Sequence, residues 1–170
     1  MSHQDIAPLP AGYRVQLLAG HEAIGPAEVM AFWADHRAMP AGEAVGRVHE
    51  VLFVGLDPGD ELVAVSTAYL QRSRQMRMTF WYQRVFVAAE HRMGNLAFRL
   101  LLAGRDHLRA LYESGADRRA AGLMVEVQHR GARAHLVNAV WRSDFTFVGQ
   151  NHGGDHMRVH YFPGALAPLP

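Results

Sequence analysis

A chain of 170 residues, of which 49% are hydrophobic and 19% charged, has the size and composition of one globular domain with a single core. Its 17 basic and 16 acidic side chains nearly balance, which argues against a nucleic-acid-binding protein. The absence of cysteine excludes disulfides and thiolate catalysis, and with no signal-peptide pattern or long apolar run we expect a cytoplasmic protein that does not bind membranes.

The first part of the chain predicts a strand followed by a helix. Residues 1–12 and 163–170 contain several prolines and glycines, and we expect both ends to be loose. An apolar run over 13–20 predicts the first strand. Pro26 then opens a segment with an apolar side, which is typical of a helix start.

Three successive apolar runs predict an antiparallel meander. The runs over 47–56 and 61–70 flank a Pro-Gly pair, which is the residue pattern of a tight hairpin turn. A polar connection over 71–77 leads to a third strand over 78–89, rich in aromatic residues.

The second part of the chain predicts a long helix and three more strands. Leucines at helical spacing indicate a half-buried helix that ends near Ser114. The elements predicted after it are a strand over 122–128, a helix over 131–141 and a closing pair of strands over 144–151 and 155–162. The prediction is therefore an α/β (α+β) fold in a single domain over 1–170, with six to seven strands in a mostly antiparallel sheet and about four helices.

The junction between the strand 78–89 and the long helix carries the residues of an anion-binding site. The first turn of a helix leaves backbone N–H groups unpaired, and the aligned peptide dipoles make that end positive. Arg92 can add a bidentate contact, and Gly94 lets a ligand approach the backbone closely. Together with Asn95 and Ala97 these residues predict a phosphate site.

The hexapeptide "RMGNLA" resembles the pyrophosphate signature of the GCN5-related N-acetyltransferases, which is Gln or Arg, two residues, Gly, one residue, then Gly or Ala. It matches at Arg92 and Ala97, whereas Asn95 stands where the signature has glycine and Gly94 lies one position earlier. The segments "VFVAAEHR" and "SDFTFVG" and the order of predicted elements are also similar to the family, so the resemblance covers most of the chain.

The resemblance implies an N-acyltransferase that uses acetyl-CoA or another acyl-CoA as co-substrate, without a metal. The acceptor would be an amine of a small molecule or a protein, and a homodimer would be compatible with the family. The residues implied in coenzyme binding are Val85, Phe86, Val87, Arg92, Met93, Gly94, Asn95, Leu96, Ala97 and Asn138. Asn138, predicted on the helix over 131–141, is equally well explained as a solvated helix residue.

The implied reaction needs a base, or a water chain leading to one, unless the acceptor amine is intrinsically less basic, because deprotonating a lysine-like amine at neutral pH costs about 4 to 5 kcal/mol. No carboxylate lies on the strand over 79–87. The candidates are Glu126 and Glu50, both predicted on strands among apolar residues, and Tyr82; His129 is a further possibility. For both carboxylates a solvent-facing strand position is an equally good explanation.

A proton donor for the departing thiolate is missing from the place where the family carries a tyrosine. No tyrosine occurs over 127–145, where Val140 and Trp141 stand near the expected position. Either the thiolate leaves without assistance, or the chain is a non-catalytic protein of the same fold that binds acyl-CoA or a protein partner.

A histidine-rich segment raises a metal hypothesis. His152, Asp155, His156 and His160 lie close together in sequence. His152 is separated from the others by a Gly-Gly turn, and no HExxH motif is present, so we predict no metal site.

Overall fold

The computed structural model describes residues 8–92, 95–128 and 137–168, and these residues form seven strands and three α-helices. The elements are β1 (Arg14–Leu17), α1 (Pro26–Asp35), α2 (Ala41–Arg47), β2 (Val51–Leu56), β3 (Leu62–Ser73), β4 (Met78–Val87), α3 (Leu96–Ser114), β5 (Gly122–Val127), β6 (Thr146–Gln150) and β7 (His156–Tyr161). The strands are hydrogen-bonded in the order β1-β2-β3-β4-β5-β7-β6. The predicted α/β fold with a mostly antiparallel sheet is therefore confirmed.

The chain forms two compact units. Among the described residues, the first unit contains the chain up to Ala68 together with Arg84–Gly104, and we call it the N-terminal unit. The C-terminal unit contains Tyr69–Gln83 and the residues from Arg105 onward. The single domain over 1–170 stays a prediction.

The N-terminal unit buries the apolar side of α1. At the start of the helix the Gly25 amide donates to the Glu28 side chain at 2.8 Å, which pairs one backbone donor there. Phe32 and Trp33 are buried in one cluster with apolar residues of β2 and β3. A second cluster joins the first turns of α3 to the ends of β3 and β4, so the start of α3 is fixed by apolar burial.

The C-terminal unit contains the sheet's parallel pair. β4 and β5 pair in parallel from Trp81↔Leu123 to Gln83↔Val125, and β5 pairs antiparallel with β7. A side chain at Gly122 would put its Cβ only 2.3 Å from the carbonyl oxygen of His160, so only glycine fits there.

The structure corrects two predicted elements. The strand predicted over 47–56 begins only at Val51, because α2 and a 3-10 helix over Val48–Glu50 precede it. Of the helix predicted over 131–141, residues 131–136 lie outside the described residues. Residues 137–141 are not helical, and Val140 instead forms a β-bridge with Thr146. Within the described residues no helix is long and apolar enough to span a bilayer.

Candidate active site

Arg92 is held at the end of β4 by a tight turn. The Ala88 amide donates to the Val63 carbonyl at 2.9 Å, and a 3-10 helix follows over Ala89–His91. Directly after this helix, the Arg92 Nε donates to the Val87 carbonyl oxygen at 3.0 Å. The arginine predicted to bind phosphate is therefore fixed beside the strand end.

The guanidinium of Arg92 lies near the Phe86 ring. Its central carbon lies 5.9 Å from the centroid of the Phe86 ring, near the outer limit of a cation–π contact. Arg92 is exposed, and its terminal nitrogens make no hydrogen bond to another described residue. Two parallel N–H groups can therefore receive an oxyanion.

The first turn of α3 supplies a second group of donors. The Arg99 amide donates to the Asn95 carbonyl at 2.8 Å, which places Asn95 at the helix entrance. By helix geometry the amides of Leu96, Ala97 and Phe98 have no acceptor within the helix. Leu96 is buried while Ala97 is exposed, so the turn is anchored on one side and open on the other. Met93 and Gly94 lie outside the described residues.

A histidine–tyrosine contact that the sequence did not predict lies at the 3-10 helix before Arg92. The Tyr13 hydroxyl lies 2.7 Å from the Nδ1 of His91, at the end of the 3-10 helix. Their rings also pack edge to face, with centroids 5.8 Å apart. The contact spans 78 residues of sequence, and no local pattern could have indicated it.

The strand residues predicted to face the coenzyme are partly accessible. Val85 and Phe86 are half-buried, and Val87 is buried. Phe86 packs edge to face against Phe32 of α1, with ring centroids 5.8 Å apart. The predicted coenzyme residues from Val85 to Ala97 thus belong to one unit, apart from the undescribed Met93 and Gly94.

Tyr82 and Glu126 come together in the C-terminal unit. Tyr82 is buried in a cluster with Phe80, Met124 and Val159. Burial raises the pKa of the Tyr82 phenol, and the negative charge of Glu126 raises it further. The phenol is therefore protonated at neutral pH, and its catalytic role stays a prediction.

The Glu126 carboxylate is exposed on β5. It accepts a hydrogen bond from the Asn151 side chain at 3.4 Å, and Asn151 also donates to Asp155 at 3.2 Å. The carboxylate is thus accessible to water and to a substrate, and its catalytic role stays a prediction.

Glu50 differs from its predicted position. It lies in the 3-10 helix before β2 rather than on the strand, because the preceding residues continue from α2 as a helical turn. Its carboxylate is 3.7 Å from the Nε of Arg47, and both side chains are largely buried. Glu50 is thus less exposed than Glu126, which is the more accessible candidate base.

Asn138 is exposed and non-helical, contrary to the predicted helix. Its carbonyl accepts a hydrogen bond from Arg158 at 2.9 Å. Arg158 is only 1% exposed, and its guanidinium lies 4.1 Å from the centroid of Trp141. This buried arginine fixes the loop that carries Asn138, and no pattern in the sequence marks it.

The side chains of the histidine-rich segment do not form one cluster of metal ligands among the described residues. His160 is buried and contacts the Asp144 carbonyl at 3.3 Å, whereas Asp155 is bonded to Asn151. His152 is exposed. Among the described residues no three His, Asp or Glu side chains are placed to hold a metal ion. His129 lies outside the described residues.

Similar proteins are found among solved structures. No protein-family model and no curated protein matches the sequence. Among solved structures, the chain is similar to NAA60 of Arabidopsis thaliana in complex with acetyl-CoA. The TM-score is 0.60 at 15% identity, covering 88% of this chain and 99% of that chain.

Two bacterial structures are similar to a comparable degree. One is an acetyltransferase of the GNAT family from Streptococcus pneumoniae, with a TM-score of 0.56 and 12% identity over 86% of this chain and 96% of that chain. The other is the ribosomal-protein-S5-alanine acetyltransferase from Vibrio fischeri, with a TM-score of 0.58 and 10% identity over 95% of this chain and 100% of that chain. At such identities the similarity establishes the fold alone, and that fold is the one these acetyltransferases share.

Proposed function

Since this chain has the fold of the GCN5-related N-acetyltransferases, we propose that it is an acyl-CoA-dependent N-acyltransferase. The co-substrate is acetyl-CoA, and the acceptor is an amine of a small molecule or a protein. The acetyl-CoA bound to the similar Arabidopsis structure supports the choice of co-substrate.

The observation that carries the proposal is the position of Arg92 at the end of β4, four residues before the first residue of α3. In the proposal the amides of the first turn of α3 and the Arg92 terminal nitrogens donate to the diphosphate of the coenzyme. Met93 and Gly94 belong to the same loop, and the pantetheine arm lies along the main chain of 85–87. Asn138 is a further contact.

The proposed reaction is direct attack of the amine nitrogen on the thioester carbon. The C–N bond forms, the C–S bond breaks, and the thiolate departs with the bonding electron pair as free CoA. The proton lost by the amine goes to the Glu126 carboxylate, directly or through water, because this carboxylate is exposed.

Calorimetric titration with acetyl-CoA tests the coenzyme site. We expect Arg92→Glu to weaken binding at least about tenfold, because it replaces a phosphate donor with a repelling charge. Arg37→Glu is the matched control, since Arg37 is an exposed arginine of the same unit outside the site. Unchanged affinity in Arg92→Glu, with an intact fold by circular dichroism, would contradict the proposed phosphate site.

A non-catalytic acyl-CoA-binding protein is the second candidate. It is favoured by the absence of tyrosine over 127–145. Release of free CoA with a panel of amines separates the two functions. Tight acetyl-CoA binding without CoA release above the uncatalysed rate would favour the binding protein.

A further inference from the structure

The C-terminal unit contains a cleft of about 310 Å³ whose rim is strongly basic. Four arginines line it: Arg72, Arg77, Arg118 and Arg119. No Asp or Glu is among the described residues that line it. The rest of the lining comes from Tyr112 and from apolar or small residues.

Two of the arginines are held by neighbouring groups. Arg119 donates to both carboxylate oxygens of Asp117, at 3.0 and 2.6 Å, and the bond lowers the pKa of that carboxyl. Arg118 donates to the Tyr112 carbonyl at 3.3 Å, and its guanidinium lies 5.7 Å from the Tyr112 ring. These contacts fix two guanidinium groups at the cleft before any ligand binds.

The other two arginines have no ionic partner among the described residues. Arg72 lies near the end of β3 and Arg77 just before β4, on either side of one hairpin turn. Both are exposed, and neither has a hydrogen bond or ion pair to another described residue. Even with Arg119 neutralised by Asp117, three positive charges face one cleft of a chain whose formal net charge is only +1.

We propose that this cleft binds a small polyanion that carries phosphate or several carboxylate groups. Guanidinium groups bind both kinds of oxyanion in bidentate geometry, and several of them at one cleft favour a ligand with more than one negative charge. The volume is in the range of small-molecule sites, and the Tyr112 ring offers an apolar surface for the body of the ligand.

The site is independent of the proposed acyltransferase function. None of its lining residues belongs to the proposed coenzyme-binding group. A small ligand is favoured over an RNA strand because the near-balanced net charge does not provide the extended basic surface that RNA-binding proteins use.

The test is calorimetric titration of the full chain with tripolyphosphate and, in a second arm, with citrate. Both titrations are done in the Arg92→Glu background, so that binding at the proposed coenzyme site does not contribute. The variant pair Arg72→Gln with Arg77→Gln should weaken binding of the preferred anion by about tenfold or more. Arg74→Gln, on the same hairpin but outside the cleft, should change it less than about twofold.

Charge and geometry are separated by a second pair. Arg72→Lys with Arg77→Lys keeps the charge but loses the bidentate fork, so we expect intermediate affinity. The anion that binds more tightly, tripolyphosphate or citrate, identifies phosphate or carboxylate as the preferred group. The proposal would be overturned if Arg74→Gln weakened binding equally, or if neither anion bound at millimolar concentration. Tighter binding of a single-stranded RNA would also overturn it.

Discussion

A side chain at Gly55 would crowd Leu96. A Cβ built on Gly55 would lie 3.1 Å from the Leu96 Cδ1 and 3.0 Å from the Cβ of Ala64, closer than side-chain atoms normally approach. Leu96 is the first residue of α3 and is only 2% exposed. The glycine on β2 therefore lets the start of α3, where the proposed diphosphate site lies, pack against the sheet.

Gly55→Val should lower both stability and coenzyme affinity. Overpacking of this kind typically costs about 1 to 3 kcal/mol, and relief of the clash would displace the first turn of α3. Urea unfolding and calorimetry with acetyl-CoA measure the two effects. Gly42→Ala is the control, because nothing lies within 4 Å of the added Cβ and alanine favours a helix. Wild-type stability in Gly55→Val would show that Leu96 and Ala64 move aside at no cost, which would contradict the prediction.

Glu126→Gln should reduce turnover without affecting coenzyme binding. If this carboxylate accepts the proton of the amine, its loss should lower kcat/KM by about 10²- to 10⁴-fold. The acetyl-CoA Kd should stay within about twofold, because Glu126 is not in the proposed coenzyme group. Steady-state assays with the best acceptor amine check both values, and Glu50→Gln provides the comparison with the ion-paired carboxylate. A larger loss in Glu50→Gln would move the role of base to Glu50.

Arg158→Lys should destabilise the loop that carries Asn138. Arg158 donates to the carbonyls of Asn138 and Ala139 and stacks on Trp141, and lysine lacks the planar fork that makes these contacts together. Losing a charged hydrogen bond at a buried site costs about 1.5 to 3 kcal/mol, and chemical unfolding measures the loss. Exposed Arg142→Lys is the matched control and should unfold like the wild type.

β4, α3 and the junction between them could be predicted from the sequence because the residue patterns there are strong. A long aromatic and β-branched run ends near Val87, and leucines at helical spacing run to Ser114, where the helix does end. The helix α2 was not predicted because Gly42, Val45 and Gly46 are poor helix formers, although Pro40 and Glu43 stand at a typical helix start.

The placement of the site residues depended on contacts that a sequence does not show. Glu50 was predicted on a strand, since the β-branched residues beside it continue into β2, but it lies in a 3-10 turn. The buried Arg158 and the basic cleft likewise arise from residues brought together by folding. A pattern within one segment cannot reveal such pairs.

His160 should make the protein less stable at mildly acidic pH. Burial lowers the pKa of its imidazole below 6.5, and the positive charges of Arg105 and Arg109 lower it further. The contact with the Asp144 carbonyl opposes this shift but does not reverse it. The folded chain therefore holds a neutral His160 over a range where the unfolded chain has bound a proton.

The sign of the pH dependence follows from this difference. As pH falls below about 6.5, the unfolded state takes up a proton that the folded state does not, so the free energy of unfolding decreases, by at most about 1.4 kcal/mol per pH unit for one group. Above that pH His160 carries no extra proton in either state, so it adds no slope to the pH dependence of the free energy of unfolding. Urea unfolding at about pH 5.5 and about pH 7.5 should show a smaller difference for His160→Gln, whose amide can still donate to the Asp144 carbonyl. Exposed His152→Gln should keep the wild-type difference. An unchanged difference in His160→Gln would mean that another group causes the acid sensitivity.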